Sequence, residues 1–469
     1  MSKMHCFTIA LSFLLAGALH AQPDGFYLIE GEASTPFVDE DGCNVVKVGK
    51  SATIGWNTFS VEKGETFRFE QEDSESSVIN FVTGESESTL SGNIQSKGKI
   101  YLNHPSKIVV TPDGVLNAPQ VVLVSEQGNI QVNGTLVASQ PSGKGGKIHV
   151  LGKEVDIQMT AVIDASGALG EGEVLIGGSF QGKDRSIPHS LLTIVQAGAQ
   201  ISVDSLECGN GGRAIIWSDG TTQYAGHINA RGGPEGGDGG FVEVSGKEQL
   251  GFDGTVTTVA PKGKTGELLL DPFDIYLSEN LADPIPCPPL GIRFSDSDNT
   301  NLVVNLSSVF TNLNSNDVIL QANQSVVWFN ALNKVYNIPA GRTLSFNAGK
   351  YILFQTSFQI NVGNGNFNMI VNAVGADTRG FNPASINPSV NVSGKITVGS
   401  GGSFIMGAAK LGTNPRMDNP ALGAVFDLAK WRGIVSGPPD RIIFNYVQPA
   451  KGGPGGGPGS AVDMPRSPP

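Results

Sequence analysis

Gly240-Phe241-Val242-Glu243-Val244 is one of five copies of a glycine-led strand, Gly-x-apolar-x-apolar, spread along the middle of a 469-residue chain. The others are Gly146-Lys147-Ile148-His149-Val150, Gly172-Glu173-Val174-Leu175-Ile176, Gly212-Arg213-Ala214-Ile215-Ile216 and Gly266-Glu267-Leu268-Leu269-Leu270. Their glycines lie 26, 40, 28 and 26 residues apart. A second strand falls between them, at Leu136, Ile163, Ile201, Ile228 and Val256, with spacings of 27, 38, 27 and 28. Two independent landmarks thus share a unit of about 27 residues. They also share one insertion of about a dozen, around Lys183 to Ser190.

One such unit holds two or three short strands and cannot bury its inner face alone, so units must stack. Alternation places Ile148, Val150, Val242 and Val244 inward and Lys147, His149 and Glu243 outward. Glycine is expected at corners where the chain turns with positive φ. Stacked parallel units give an all-β fold, a right-handed parallel β-helix built as a single-stranded solenoid. An antiparallel sandwich is the other reading of such a chain, and a propeller blade needs about 40 to 50 residues. Helix signals are nearly absent, with Ala421 to Arg432 the best candidate.

The second half keeps the rhythm. Leu320-Gln321-Ala322-Asn323, Phe346-Asn347-Ala348-Gly349 and Ile370-Val371-Asn372-Ala373 place their alanines 26 and 25 apart. Asparagine, frequent from Asn299 to Asn391, tolerates left-handed turns and can stack in hydrogen-bonded ladders. A sugar-binding face is the functional alternative. Asp283-Pro284-Ile285-Pro286-Cys287-Pro288-Pro289 reads as a break between two solenoid segments.

Composition agrees. Glycine is 62 of 469 residues and charged residues are only 16%, against about 7% and about a quarter in ordinary domains. Hydrophobic residues at 39% are enough for a core. A net charge of −12 without any basic run argues against nucleic acid. Lys3, the apolar Phe7 to Leu15 and the small residues from Ala16 to Ala21 read as a secretory signal peptide. No later stretch reaches the roughly 20 apolar residues of a spanning helix. Cleavage leaves Cys43, Cys208 and Cys287, whose spacing fits no metal motif; they read as buried small apolar residues or one bridge.

Catalytic candidates are thin, and no pattern points to a cofactor or metal. A carbohydrate-active β-helix enzyme, a lyase or glycosidase, would need carboxylates about 5 to 10 Å apart on an outer groove. Asp271, Asp274 and Asp219 each sit in turn-like sequence instead. His104, His149, His189 and His227 have no Asp or Ser partner at a recognisable spacing. The Gly232–Gly237 run is followed by neither the Lys-Ser/Thr nor the helix start of a phosphate loop, and Gly236-Gly237-Asp238-Gly239-Gly240 is a lone copy of a calcium-type turn.

Several motifs resemble one family. Trp56-Asn57-Thr58-Phe59-Ser60-Val61 is similar to the Trp-x-x-Phe-x-Ile opening of the haemagglutination-activity, or secretion, domain of two-partner secretion exoproteins, the filamentous haemagglutinin-like family. Ile79-Asn80-Phe81-Val82-Thr83-Gly84 resembles its Leu-Asn-Arg-Val-Thr-Gly, and Leu90-Ser91-Gly92-Asn93-Ile94 its Ile-x-Gly-x-Ile turn. His104-Pro105-Ser106-Lys107-Ile108 aligns with Asn-Pro-Asn-Gly-Ile, keeping the proline and isoleucine. Trp217 to Thr221, Gly239 to Gly246 and Leu270-Asp271-Pro272 resemble repeats common in such exoproteins.

The resemblance implies a non-enzymatic, secreted or surface-displayed adhesin or structural protein. It would be exported through an outer-membrane β-barrel transporter and meet a host-cell or surface ligand, carbohydrate among the candidates. It also implies transporter recognition through Trp56, Phe59, Asn80, Gly84, His104, Pro105, Ser106 and Lys107. The expected division is a signal peptide at 1–21, a cap and secretion domain at 22–135, and glycine-rich coils at 136–282. Asparagine-rich coils at 290–447 and a disordered Gly/Pro tail at 448–469 follow.

Overall fold

The computed structural model describes residues 23–281, 303–332, 334–371, 385–388, 392–408 and 428–445. The expected signal peptide, Cys287, the segment from Asp283 to Pro289 and the Gly/Pro tail lie outside them.

The chain winds as a right-handed parallel β-helix with three strands per coil, each paired in parallel with the strands one coil away. In the row of glycine-led strands, one inward column reads Val121, Ile148, Val174, Ala214, Val242, Leu268, Val318 and Leu344. The second row carries Val110, Val132, Ile157, Val195, Tyr224 and Phe252. The third carries Leu116, Leu136, Ile163, Ile201, Ile228 and Val256. All are buried. The two sequence landmarks are therefore two columns of one stack, and their shared spacing is the length of one coil.

The leading glycines are not positive-φ corners. Their reason is contact between coils. A Cβ on Gly212 would stand 2.2 Å from the Gly172 carbonyl oxygen, one on Gly240 2.1 Å from that of Gly212, and one on Gly266 1.9 Å from that of Gly240. Each coil rests its backbone on the one before it, where any side chain would wedge them apart.

The insertion sits where the register says. The link from first to second row is two residues after Arg213–Ser218 and after Phe241–Gly246. After Glu173–Ile176 it runs from 177 to 191 and holds a single 3-10 turn, Phe180–Gly182. This loop folds back on the outer face, where Phe180 and Ile187 pack on Leu175, Ile215 and Trp217. Glu243, expected to face solvent, is 0% exposed beneath it. The strand does point it outward, but the insertion covers it.

Parallel pairing continues from Glu267–Leu270 to Asp317–Ala322 and from Asp274–Ser278 to Ser325–Asn330. One stack thus spans the expected break. Within that coil the third-row strand is replaced by a helix, Leu306–Asn312, capped by the Asn305 side chain accepting from the Ser308 N–H at 3.0 Å. The preceding strand, Thr255–Thr257, loses a backbone partner there, and buried asparagines stand in. Asn312 accepts from the Val256 N–H at 2.7 Å, and Asn316 donates to the Val256 carbonyl at 2.8 Å. An asparagine rung of the expected kind joins Asn361 to Asn337 at 2.9 Å. The other helix, Leu428–Ile434, overlaps the expected Ala421 to Arg432 and buries Trp431. Cys208 is exposed and Cys43 half-buried, and both are free thiols; the expectation of buried cysteines fails because Cys208 lies on a surface turn of the glycine-rich loops.

Replacing Ile148 by Asp is expected to destabilise by about 4 kcal/mol or more, through a lost packed side chain and an unpaired buried charge. Lys147→Asp, on the exposed side of the same strand, is expected to cost under about 1 kcal/mol; denaturant midpoints of the two variants measure the contrast. Gly240→Ala is expected to cost about 2 kcal/mol or more, since a backbone carbonyl rather than a flexible side chain must move. A thermal melt matching the parent would refute the contact role of that glycine.

Candidate functional site

The motif residues gather at the first coils. The stack begins with Tyr27–Ala33 antiparallel to Asn44–Trp56, and Phe37–Val38 antiparallel to the start of the same strand. Beneath this cap, Trp56 meets Phe26 and Phe59 edge to face, each at 5.4 Å, and Phe67 at 6.0 Å. Trp56, Phe59 and Val61 are core residues of the first coil. The Trp56 indole N–H donates to Asn80 Oδ1 at 2.9 Å, and Asn80 Nδ2 donates to the Tyr101 carbonyl at 3.1 Å. Three successive coils are joined through one buried polar relay, each step satisfied as burial demands. Gly84 closes the adjacent turn: its N–H donates to the Asn57 carbonyl at 3.0 Å, and a Cβ would stand 2.3 Å from that oxygen.

The His104–Lys107 turn has its own logic. His104 is buried. Its Nδ1 accepts from the backbone N–H groups of Ser106 and Lys107, both at 3.0 Å, so the proton sits on Nε2, which donates to the Ser86 carbonyl at 2.9 Å. This is how an asparagine side chain would close an Asx turn, so the imidazole takes the place of the first Asn in the Asn-Pro-Asn-Gly pattern. Ser106 Oγ donates to the Glu85 carbonyl at 2.7 Å and Lys107 pairs with Glu87 at 2.9 Å, and Pro105, just before them, is exposed. Of the eight motif residues, Trp56, Phe59, Asn80, Gly84 and His104 build the start of the stack. Pro105, Ser106 and Lys107 stand at its surface.

A second polar cluster, which sequence spacing did not reveal, lies under the insertion. His189 has the partners it was expected to lack: Ser179 Oγ at 3.0 Å from Nε2 and Asp219 Oδ1 at 3.5 Å from Nδ1. The three span some 40 positions and meet only because the insertion folds back. Ser179 is buried and already accepts from the Asp184 N–H at 3.1 Å, so the trio closes the mouth of the loop. At its tip, the Gln181 N–H faces both oxygens of Glu243, at 3.1 and 3.3 Å. The Gln181 side chain donates to Asp271 Oδ2 at 2.5 Å, and Gln321 donates to the same oxygen at 2.9 Å. Burial, aided by Asp271, lifts the Glu243 carboxyl to about 8. Burial lifts Asp271 to about 6 against those amide bonds, and Asp274 to about 6 against bonds from Ser325.

The other candidates serve the stack. His149 and Lys147 reach Glu173 at 3.0 and 3.4 Å, and the histidine bond leads in holding that carboxyl down to about 2. His227 bonds Asn229 at 3.0 Å. Asp238 accepts from the Lys264 N–H at 2.8 Å, pinning neighbouring glycine turns. Among the described residues, no group of three or more His, Cys, Asp or Glu could hold a metal ion.

The His104 turn makes a prediction. Burial lowers the His104 pKa below its ordinary value, so the turn's contribution to stability is present above about pH 6.5 and lost as the imidazole protonates on acidification. His104→Ala is expected to cost about 1 to 3 kcal/mol by stranding two N–H groups, and His104→Asn to recover most of it. Equal melting temperatures for Ala and wild type would refute this role.

Known proteins share this region. The family model described as the TPS secretion domain matches residues 38–257. A heme/hemopexin-binding protein of Haemophilus influenzae is 24% identical over 140 residues, covering 28% of this chain and 15% of that protein. A second Haemophilus influenzae protein of the same name is 22% identical over 121 residues, covering 25% and 13%. The crystal structure of the HMW1 secretion domain from Haemophilus influenzae covers 90% of this chain and 100% of that one, at 14% identity and a TM-score of 0.49. The chain spans about 15% of the length of the curated relatives it matches. Residues 38–257 of this chain are therefore a TPS secretion domain.

Proposed function

We propose that the coils from about Asp24 to Leu136 are the element a two-partner outer-membrane β-barrel transporter recognises, and that the coils behind them act outside the cell as an adhesin without catalysis. The observation that carries this reading is the family match over 38–257, which begins at the antiparallel cap and takes in every motif residue. The Pro105-Ser106-Lys107 turn, held by His104 and presented outward, is its accessible part. Coil-by-coil folding outside the membrane favours outward movement, because a formed unit templates the next. Adhesion is supported by the length of the stack and by outer rows rich in amide and hydroxyl groups. The ligand class is a host-cell or surface glycan.

The test follows export in the native host with its own transporter. Deleting residues 50–110 is expected to leave the chain inside the outer membrane. A double variant, Ser106→Ala with Lys107→Ala, is expected to reduce surface appearance severalfold while its purified form melts as the parent does. A deleted chain that still reaches the surface overturns the secretion role of this region. A purified full-length protein that cleaves a polysaccharide overturns the adhesin reading.

A further inference from the structure

The insertion from 177 to 191 is held by polar groups at both ends and by an apolar strip between. Gln181, at its tip, is a non-glycine residue in the left-handed region, with φ of +52°, a conformation that persists only when surrounding contacts impose it. The contacts here are the two carboxyl groups that its N–H and its side-chain amide face. Glu243 lies across from Ile215 on one neighbouring strand and Leu269 on the other, neither able to help a charge. Asp271 follows that second strand and its carboxyl accepts amide bonds from Gln181 and Gln321, while the Ser245 hydroxyl bonds Glu243.

Two cations stand nearby, and their pull on the carboxyls, Arg213 on Glu243 and Lys183 on Asp271, is outweighed by burial. Arg213 sits over the Phe180 ring at 4.9 Å and Lys183 over the same ring at 5.6 Å. Among the described residues, no Lys, Arg or His forms an ion pair with Glu243 or Asp271. Glu267 and Asp317 face each other near the start of the adjoining strands and add no positive charge. Asp184 and Arg185 are exposed on the loop, and His189 is tied to Ser179 and Asp219 at its mouth.

We propose that the insertion is a pH-gated flap, clamped on the outer face while the Glu243–Asp271 pair holds a proton and loosened when both carboxyls ionise. A protonated Glu243 needs no counter-ion in its dry site. Two carboxylates facing each other across Gln181, with no cation in ion-pair contact, repel and draw water. Because both groups titrate higher in the closed flap than in water, the closed form binds more protons than the open one. The clamp is therefore complete at acid pH. It weakens from about pH 4 to 6 through Asp271 and from about pH 4.5 to 8 through Glu243.

Opening uncovers Trp217, which is 4% exposed under the flap. Gly178 and Gly182 press on its indole so closely that a Cβ there would stand 2.5 and 2.6 Å from ring atoms. Trp56, Trp328 and Trp431 are buried in the core of the stack, so a quencher in water reports on Trp217. Acrylamide quenching of the mature full-length protein, corrected with Trp217→Phe, is expected to rise severalfold between pH 5.5 and 8.5. Amide exchange at residues 179–184, corrected for its intrinsic pH dependence, is expected to speed up more than tenfold over that range. Glu243→Gln, which mimics the protonated carboxyl, is expected to keep the flap closed and flatten both curves, and Asp271→Asn to flatten their acid part. A wild type with no pH dependence overturns the proposal. So does an unchanged dependence in Glu243→Gln, or one that vanishes in His189→Gln instead. This outcome is independent of secretion, which the flap residues can fail without touching the transporter assignment.

Discussion

The structure depends on one constraint: every strand must find its backbone partners in the coils before and after it, at the ladder spacing of about 4.8 Å. Each position along a coil then becomes a column, and neighbours in a column must be compatible in size and polarity. The Ile148–Val174–Ala214–Val242 column and the glycines resting on carbonyls one coil below are two expressions of that rule. Side-chain volume fills the interior where strands run, and its absence lets coils touch where they turn.

A column constraint is visible in a single sequence, which is why the coil length, the inward residues and the site of the insertion could be read from spacing alone. Departures from the repeat could not. Glu243 has the pattern of an outward residue, and only the fold-back of a loop some 60 positions earlier buries it. Asn312 and Asn316 sit in a stretch whose asparagine content suggested ladders, yet they complete a strand left without its neighbour by a helix. Gly170, Gly177, Gly198, Gly209 and Gly237 do turn with positive φ, but the strand-leading glycines owe their place to close approach between coils, and the two causes leave the same mark in a sequence. At the candidate site the aromatic and asparagine motifs were legible as motifs. Their division into buried relay and surface turn, and the use of His104 as an Asx-type acceptor, depend on contacts between coils that no single stretch of sequence carries.

The two polar clusters differ in what burial does to them. In the Trp56–Asn80–Tyr101 relay every group is neutral, and burial strengthens bonds that carry no titration. Beneath the insertion the same dryness acts on carboxyls, so the surroundings choose a protonation state. One cluster is indifferent to its medium and the other is sensitive to it, although both sit on the same ladder. The matched secretion domain, residues 38–257, contains the first cluster and Glu243 of the second.

The helix at Leu306–Asn312 has a mechanical consequence. Ladder bonds in this architecture lie along the long axis, so tension on a tethered rod falls on all bonds of one interface together. Most interfaces share that load over three rows. Next to the helix, the third row contributes side-chain bonds from Asn312 and Asn316, while Phe252 in the second row meets the two-residue strand Val304–Asn305 through a single register pair. Under a pull, the rod has a designated parting plane there, between a forward half that carries the TPS match and a rear half behind it.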